Sequence, residues 1–259
     1  MTAATVIIHR SPELLAAAAA ARLVTTLVDV QSAGRVPRLV LTGGRIADRI
    51  HRTLAESAAR DSVDWGRLEI WWGDERFLPA DDPDRNERQA RSALLDLVPI
   101  DPGLVHPMPA PGDVGGDPET AAERYAAALA AAAGPEDHGR VPTFDVLMLG
   151  VGPDGHVASL FPEQPALYDE ARTVTAVRGA PKPPPTRITM TMPTLSRAHE
   201  VWFCVSGREK ARAVHLALGA AGAVQVPAAG PRGMRRTLWL LDREAAAGVP
   251  PGMTRVASP

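Results

Sequence analysis

The sequence has almost no cysteine and no large excess of charge of either sign. Cys204 is the single cysteine in 259 residues, so an intrachain disulfide is excluded and a reducing compartment is expected. It lies within an apolar, strand-like run, which predicts a buried core residue. The formal net charge of −2 argues against a surface for nucleic acid or another polyanion. Any anion site must therefore depend on a few local cations.

Long apolar runs are also absent. None reaches the roughly twenty residues that a membrane-spanning helix needs. The alanine-rich stretch at residues 14–24 has some features of a signal peptide, but a strand-like run precedes it. Ser11 and Pro12 are typical of the N-cap and the first position of an ordinary helix. We therefore expect a cytoplasmic protein without membrane or nucleic-acid partners.

Two classes of catalytic site lack their sequence signatures. No cluster of His, Cys, Asp and Glu has metal-ligand spacing, and the Gly-x-Ser-x-Gly pattern of serine esterases is missing. We expect neither a metal nor an organic cofactor. No proline- and serine-rich linker divides the chain and no internal repeat appears, so we expect a single α/β domain over residues 1–259.

Short apolar runs, each about the length of a β-strand, recur along the sequence. Such runs occur at residues 6–8, 39–41, 68–72, 146–149, 201–205 and 238–241. Most are followed by helical segments rich in alanine and arginine. This alternation predicts a Rossmann-like, doubly wound and mostly parallel sheet with helices on both faces.

A glycine-rich turn follows the run at residues 146–149. Gly152 and Gly155 permit backbone geometries closed to other residues and leave space for a ligand beside His156. The turn brings Asp154 and His156 to the carboxyl end of a buried strand, which is where ligands bind to parallel sheets. A histidine there is a candidate general base, because its pKa is close to neutral.

The same turn matches the dinucleotide fingerprint Gly150-x-Gly152-x-x-Gly155. A dinucleotide site needs a full helix after the third glycine, but Pro162 would cut that helix short. Asp154 would also place a carboxylate against the pyrophosphate. The sequence therefore argues against a dinucleotide-binding site.

The run at residues 39–41 is followed by a possible phosphate-binding turn. Thr42, Gly43 and Gly44 precede a helix that is expected to begin near Arg45. The free amides of such a helix start favour an anion. A glycine pair after a strand is also compatible with a simple tight turn.

Residues 154–162 read DGHVASLFP, which resembles the signature of the 6-phosphogluconolactonase family, whose activity belongs to the oxidative pentose phosphate pathway. The related glucosamine-6-phosphate deaminases share the strand, the glycines and the Asp-Gly-His. They continue into an Asn-Glu-Pro segment whose acid helps to open the sugar ring. Here Ser159-Leu160-Phe161-Pro162 occupies that stretch, so the resemblance favours the lactonases.

Four further motifs carry the resemblance along the chain. Residues 72–76 match the family's Trp-Gly-Asp-Glu-Arg, which contributes Asp74 and Arg76, and Asn86 matches an asparagine at the start of the next helix. Arg187 ends a Pro-Pro-x-x-Arg pattern, and Lys210 ends a Gly-x-x-Lys pattern. Residues 42–47 depart from the family's Ser-Gly-Gly-Ser-Thr-Pro, so Arg45 could contact either phosphate or solvent.

The resemblance implies hydrolysis of 6-phospho-D-glucono-1,5-lactone, a small phosphosugar, by a protein with the Rossmann-like fold of this superfamily. Separately, we expect the protein to be a monomer. His156 would act as the base, with Asp74 or Asp154 orienting it or binding sugar hydroxyls. Arg76 or the amides of the Gly152–Gly155 turn would stabilise the oxyanion. The expected phosphate and substrate ligands are Thr42, Gly43, Gly44, Arg45, Asn86, Gly152, Gly155, Arg187 and Lys210.

Two other functions remain open at this stage. A sugar-phosphate deaminase or isomerase would need a further ring-opening acid in place of residues 159–161. A non-catalytic sugar-phosphate sensor would keep the phosphate cations and dispense with the base, but His156 is present. Such a sensor would usually carry a DNA-binding segment as well, and the sequence shows none.

Overall fold

The computed structural model describes residues 4–137, 140–219, 221–249 and 253–256. Its strands are β1 (Thr5–His9), β2 (Arg38–Leu41), β3 (Glu69–Trp72), β4 (Asp74–Arg76), β5 (Phe144–Leu149), β6 (Val174–Val177), β7 (Arg187–Met190), β8 (Ala198–Val205), β9 (Arg236–Asp242) and β10 (Thr254–Val256). Its α-helices are α1 (Pro12–Ser32), α2 (Arg45–Glu56), α3 (Asn86–Ala93), α4 (Pro118–Ala132), α5 (Met192–Leu195) and α6 (Ala211–Leu218).

Seven strands form one parallel sheet in the order β10-β1-β9-β8-β5-β2-β3. All six predicted strands belong to it, and the prediction of an α/β fold is confirmed. A second sheet of three antiparallel strands has the order β4-β7-β6. The sequence patterns did not predict β4, β6 or β10.

Helices cover both faces of the parallel sheet, as predicted. Neighbouring side chains on β3 show this directly, because Trp71 and Trp72 are both fully buried but belong to different apolar clusters. Trp72 packs in the cluster that includes Leu23 of α1 and Leu54 of α2. Trp71 packs in the cluster that includes Leu129 of α4. Because side chains on both faces of the sheet are buried, apolar residues in these strands do not alternate with polar ones.

The N-terminal alanine-rich stretch is an ordinary helix. Ser11 caps α1 by accepting a hydrogen bond from the amide of Leu14 at 3.3 Å, and Pro12 occupies the first helical position. None of the helices in the described ranges is long and apolar enough to cross a bilayer. Cys204 is buried, as predicted, and its burial raises the pKa of its thiol to about 12.

The order of strands creates a crevice at one edge of the sheet. β2 lies between β3 and β5, so the chain leaves β2 in one direction and later returns on its other side. Such a switch point opens a ligand crevice at the carboxyl ends of the strands. No helix follows β5 before Pro165, where a short 3₁₀ turn begins, which agrees with the rejection of a dinucleotide site.

Candidate active site

A pocket of ≈ 290 Å³ opens at the carboxyl edge of the parallel sheet, where β2, β3, β5 and β8 end. The charged and ionisable side chains that line it are Arg45, Asp74, Arg76, His156, Arg187 and Lys210. The remaining lining residues are Thr42, Gly43, Gly44, Ile46, Asn86, Gly150, Val151, Gly152, Ala158, Cys204, Val205 and Ser206. Four cationic groups against one carboxylate favour an anionic ligand.

His156 and Asp154 form a hydrogen-bonded pair at this pocket. Nδ1 of His156 lies 2.6 Å from Oδ1 of Asp154, so Nδ1 carries the proton and Nε2 is the nitrogen that can accept one. Partial burial alone would raise the pKa of Asp154, but hydrogen bonds from His156 and Lys182 and the positive charge of Lys182 outweigh that effect and hold the pKa well below its usual range. Asp154 is therefore ionised and fixes the imidazole tautomer.

The glycine turn serves this pair sterically. A Cβ on Gly152 would overlap with both the His156 ring and the Asp154 carboxylate. Gly155 has a φ of +84°, and a Cβ there would press against Val226. Glycine at these positions lets the Asp154 and His156 side chains fold back over the turn.

One expectation about this turn requires correction. The amide of Gly155 donates to the carbonyl of Gly152, and the amide of Gly152 donates to the carbonyl of His156, both at 2.9 Å. Gly155 is also absent from the pocket lining, whereas Gly152 is part of it. The two amides are therefore committed within the turn and are not free to bind substrate or an oxyanion.

The Gly43-Gly44 turn places the start of α2 at the pocket. Gly44 is the N-cap with a φ of +102°, and α2 begins at Arg45, as predicted. Gly43 packs so closely against Asn86 that a Cβ would overlap with the Asn86 side chain. The first amides of α2 lack helical acceptors and form an anion-binding end.

The side chain of Arg45 lies at the mouth of the pocket and is directed to solvent. Its side chain is 88% exposed and forms an ion pair with Glu209 at 2.6 Å. Glu209 belongs to the short 3₁₀ turn Arg208–Lys210 that precedes α6. Of the two orientations left open by the sequence, the structure shows the one directed to solvent.

Asp74 has a different setting from Asp154. It is buried, its Oδ2 accepts a hydrogen bond from Ser159 Oγ at 2.7 Å, and Asn86 Nδ2 donates to its carbonyl at 2.9 Å. Asp74 thus lines the pocket, while Asp154 contacts the imidazole. Sequence reasoning treated Ser159 only as the replacement for an acid, but its hydroxyl holds the Asp74 carboxylate in place.

The small antiparallel sheet brings two arginines together at the pocket. Arg76 of β4 and Arg187 of β7 are paired residues in the register. Arg187 is buried, and its Nε and Nη2 donate to the carbonyls of Pro184, Lys182 and Pro183 at 3.0–3.1 Å. Burial lowers the pKa of Arg187, and the neighbouring Asp74 opposes that effect.

Lys210 supplies the fourth cation of the pocket. It is half-buried at the start of α6. Burial lowers its pKa, and the charge of Lys182 acts in the same direction. A cation held at a helix start is favourable when an anion is bound beside it.

Lys182 was missed in the sequence. Its Nζ lies 3.1 Å from Oδ1 of Asp154 and 3.3 Å from Nδ1 of His156. A compositional signal was available, because Lys182 and Lys210 are the two lysines among 28 basic residues and both lie at this site. Wherever else the chain carries a fixed positive side chain, it uses arginine.

Glu75 was also missed. It is buried, and its carboxylate accepts hydrogen bonds from the amides of Arg76, Asn86 and Glu87 at 2.7–2.9 Å. These contacts join β4 to the start of α3, as expected of a carboxylate at a helix N-terminus. Glu75 thereby positions the backbone of Arg76 and Asn86, which both line the pocket.

The described part of the chain contains no group of three or more His, Cys, Asp and Glu that could hold a metal ion. The pocket itself offers several kinds of organic group. These are an oriented imidazole, buried hydrogen-bonding groups and several cations.

Comparison with known proteins places the chain in a family. The model for glucosamine-6-phosphate isomerases/6-phosphogluconolactonase matches residues 10–239. A 6-phosphogluconolactonase of Streptomyces coelicolor is 55% identical over 253 residues, which is 97% of each chain. One of Mycobacterium tuberculosis is 49% identical over 239 residues, covering 92% of this chain and 95% of the relative.

Among solved structures, the 6-phosphogluconolactonase of Trypanosoma brucei superposes with a TM-score of 0.82 at 28% identity, covering 96% of this chain and 100% of the other. A monomeric glucosamine-6-phosphate deaminase shares the fold at a TM-score of 0.76 and 20% identity, covering 94% and 99%. The chain belongs to the glucosamine-6-phosphate isomerase/6-phosphogluconolactonase family.

Proposed function

We propose that this protein hydrolyses 6-phospho-D-glucono-1,5-lactone to 6-phospho-D-gluconate in the oxidative pentose phosphate pathway. The observation that carries the proposal is the Asp154–His156 pair at the edge of a pocket lined by four cations. An oriented base beside an anion-binding pocket suits a phosphorylated substrate with a hydrolysable carbonyl. Relatives with 46–55% identity carry the name of this activity.

His156 acts as the general base. With Nδ1 hydrogen-bonded to Asp154, Nε2 takes a proton from a water molecule as its oxygen attacks the lactone carbonyl. The tetrahedral intermediate collapses by breaking the bond between the carbonyl carbon and the ring oxygen. The imidazolium returns the proton to that oxygen, and the product acid then releases a proton to solvent.

Arg76 stabilises the charge that develops on the carbonyl oxygen. It lines the pocket and carries a fixed positive charge, and the glycine amides that would compete for this role are committed within their turn. Asp74, held by Ser159 and Asn86, accepts hydrogen bonds from sugar hydroxyls.

The phosphate binds at a distance from the base. Lys210, Arg187, Thr42 and the Gly43-Gly44 turn line the part of the pocket that would hold it, and Asn86 packs against Gly43. Among the described residues, Nη1 of Arg187 has no hydrogen-bond acceptor, so this nitrogen is available to a phosphate oxygen. Binding energy from the phosphate positions the lactone against the base.

The alternative functions fit the site less well. A deaminase needs a ring-opening acid after the histidine, but the corresponding residues are Ser159, which bonds to Asp74, and the fully buried Leu160 and Phe161. A sugar-phosphate sensor would not need an imidazole oriented by a carboxylate. Residues 159–161 therefore count against the deaminase, and the paired Asp154 and His156 count against the sensor, which leaves the lactonase as the favoured function.

We further propose that the enzyme is a cytoplasmic monomer with one domain over residues 1–259, that it binds no nucleic acid, and that it requires no metal. The lactone is an activated ester, so an oriented base can suffice without a Lewis acid. Dialysis against EDTA should leave the rate unchanged. Loss of activity that added zinc restores would contradict the metal-independent mechanism.

The proposed activity is tested by stopped-flow measurement of acid release from freshly prepared 6-phosphogluconolactone, corrected for spontaneous hydrolysis. Acid release should be strongly accelerated by the protein. Ammonia release from glucosamine-6-phosphate serves as the control and should be absent. Ammonia formation, or no acceleration of lactone hydrolysis, would disprove the assignment.

A further inference from the structure

Lys182 occupies a place that the mechanism above does not use. Its Nζ lies 3.1 Å from Oδ1 of Asp154, the same oxygen that contacts His156 Nδ1 at 2.6 Å. The distance from Nζ to His156 Nδ1 is 3.3 Å. One carboxylate oxygen is therefore shared between an ammonium group and an imidazole.

The position of Lys182 separates it from the substrate ligands. It is not among the residues that line the pocket, and its side chain is 39% exposed. Its contacts are with Asp154 and His156 rather than with the place of the lactone or its phosphate. Its direct contacts are therefore with this pair, and its charge acts on Lys210 of the pocket without a contact.

The loop that carries Lys182 is held in place. Arg187 donates to the carbonyls of Lys182, Pro183 and Pro184, and the amide of Ala180 donates to the carbonyl of Pro185 at 2.9 Å. These bonds fix the backbone from which the lysine side chain reaches Asp154. The contact between Lys182 and Asp154 therefore starts from an ordered backbone.

We propose that Lys182 is a positioning residue that keeps His156 neutral and ready to accept a proton, while Asp154 sets the tautomer of the ring. An imidazolium at His156 would lie beside the ammonium of Lys182 and would share a single carboxylate with it. This repulsion disfavours protonation of the free base. The inference rests on the proposed role of His156 in lactone hydrolysis.

Few other charges act on His156. Asp154 is on its own loop and Lys182 on the facing loop, while the ring packs against Phe161 at a centroid distance of 4.5 Å. The remaining charged groups belong to the pocket lining and are Arg45, Asp74, Arg76, Arg187 and Lys210. These are common to the wild type and to a Lys182 variant, so the variant isolates one charge.

The test compares Lys182→Met with Lys182→Arg, which keeps the charge. In Lys182→Met the acid limb of the pH profile of kcat/KM should move upward by about 0.5–1 pH unit, with KM changed less than about twofold. The pH profile of Lys182→Arg should match that of the wild type. Arg178→Met, which removes an exposed cation paired with Glu119 next to the same loop, should leave the profile unchanged.

NMR titration of the His156 ring in the free protein gives a second readout that needs no turnover. Its midpoint should rise in Lys182→Met and return in Lys182→Arg. An unmoved midpoint would overturn the inference even if lactone hydrolysis is confirmed, whereas a raised midpoint without hydrolysis would reject only the proposed function.

Two kinetic outcomes would also reject the role of Lys182. A higher KM with an unmoved acid limb would make the residue a substrate ligand. An equal loss of kcat at every pH would make its role structural. If Lys182→Met fails to fold, Lys182→Gln removes the same charge and is measured in its place.

Discussion

At the scale of single residues, the base and the phosphate ligands are separate groups, so their functions should be lost independently. His156→Ala removes the proton acceptor but leaves Lys210, Arg187 and the Gly43-Gly44 turn in place. We expect kcat to fall by about 10²–10⁴-fold. Affinity for 6-phosphogluconate, measured by calorimetry, should stay within about threefold of the wild type.

The control for this variant is His199→Ala, because His199 lies near the amino end of β8, at the opposite edge of the sheet from the pocket. Its kcat should match that of the wild type. Weakened phosphogluconate binding in His156→Ala, with kcat nearly preserved, would show that His156 is a ligand rather than the base.

Gly152 tests the packing of the catalytic turn. In Gly152→Ala the new Cβ would overlap with His156 and Asp154, so the imidazole must move away from its carboxylate. We expect kcat to fall more than about tenfold and the free energy of unfolding to fall by about 1–3 kcal/mol. Gly112→Ala is the control, since its Cβ would meet no atom within 4 Å. Wild-type kcat in Gly152→Ala would show that the imidazole does not need this space.

Lys210 and Arg45 should differ in their importance for the phosphate. Lys210 is half-buried in the pocket, whereas Arg45 is 88% exposed and already paired with Glu209. A charge-assisted hydrogen bond contributes about 1.5–3 kcal/mol, so Lys210→Ala should raise KM by about tenfold or more. Arg45→Ser should change KM less than about threefold. A tenfold rise in Arg45→Ser would show that Arg45 leaves Glu209 to bind the phosphate.

At the scale of secondary structure elements, the sequence predicted the parallel strands well because burial on both faces leaves continuous apolar runs. It also indicated most of the pocket, since motifs that directly follow parallel strands share one edge of the sheet. Asp74, His156 and Lys210 are examples. In contrast, β4 consists of the charged residues Asp74, Glu75 and Arg76, and β6 is interrupted by Thr175, so neither strand gives a continuous apolar run.

The residues that were missed depend on contacts that no local pattern encodes. Lys182 reaches Asp154 only because β7 and the loop before it fold over the catalytic turn. The glycine amides at residues 152 and 155 resemble an oxyanion site in sequence, but their partners are carbonyls of the same turn. These bonds depend on the backbone conformation of the turn, which the spacing of the glycines does not specify.

Arg187 connects the small sheet to both halves of the site. Its planar guanidinium donates hydrogen bonds to three carbonyls of the Lys182 loop. It also lies over the Phe161 ring, with Cζ 5.7 Å from the ring centroid, and His156 packs against the same ring. Arg187→Ala should raise KM by about tenfold or more through the phosphate. It should also lower kcat, because the Lys182 loop loses its anchor.

Arg187→Lys separates the two effects, since lysine keeps a positive charge but lacks the planar fork. We expect this variant to recover part of the KM and little of the kcat, as measured by steady-state kinetics on the phosphorylated lactone. Full recovery of kcat by lysine would show that the three carbonyl contacts do not matter for catalysis.

At the scale of the whole molecule, the two edges of the parallel sheet differ in function: one carries the pocket and the other carries stabilising ion pairs. The carboxyl edge carries the pocket, while the amino edge is held by ion pairs such as Arg38 with Glu69 at 2.9 Å and Arg35 with Asp145 at 2.8 Å. Arg38 also lies 3.4 Å from Asp137, which accepts hydrogen bonds from the amides of Gly134 and Thr143. Substitutions at the amino edge should therefore lower the free energy of unfolding more than they lower kcat.

Acid stability should depend on a histidine far from the reaction. His51 of α2 is fully buried, its Nε2 has no hydrogen-bond partner among the described residues, and burial lowers its pKa to about 4. The unfolded chain takes up a proton near pH 6.5 and the folded one only near pH 4, so stability is complete above pH 6.5 and falls between these values. The shift corresponds to a loss of about 3 kcal/mol by pH 4. Urea unfolding of His51→Leu between pH 7 and pH 4 should show a loss smaller by about this amount. Equal pH slopes in the two proteins would show that His51 does not limit acid stability.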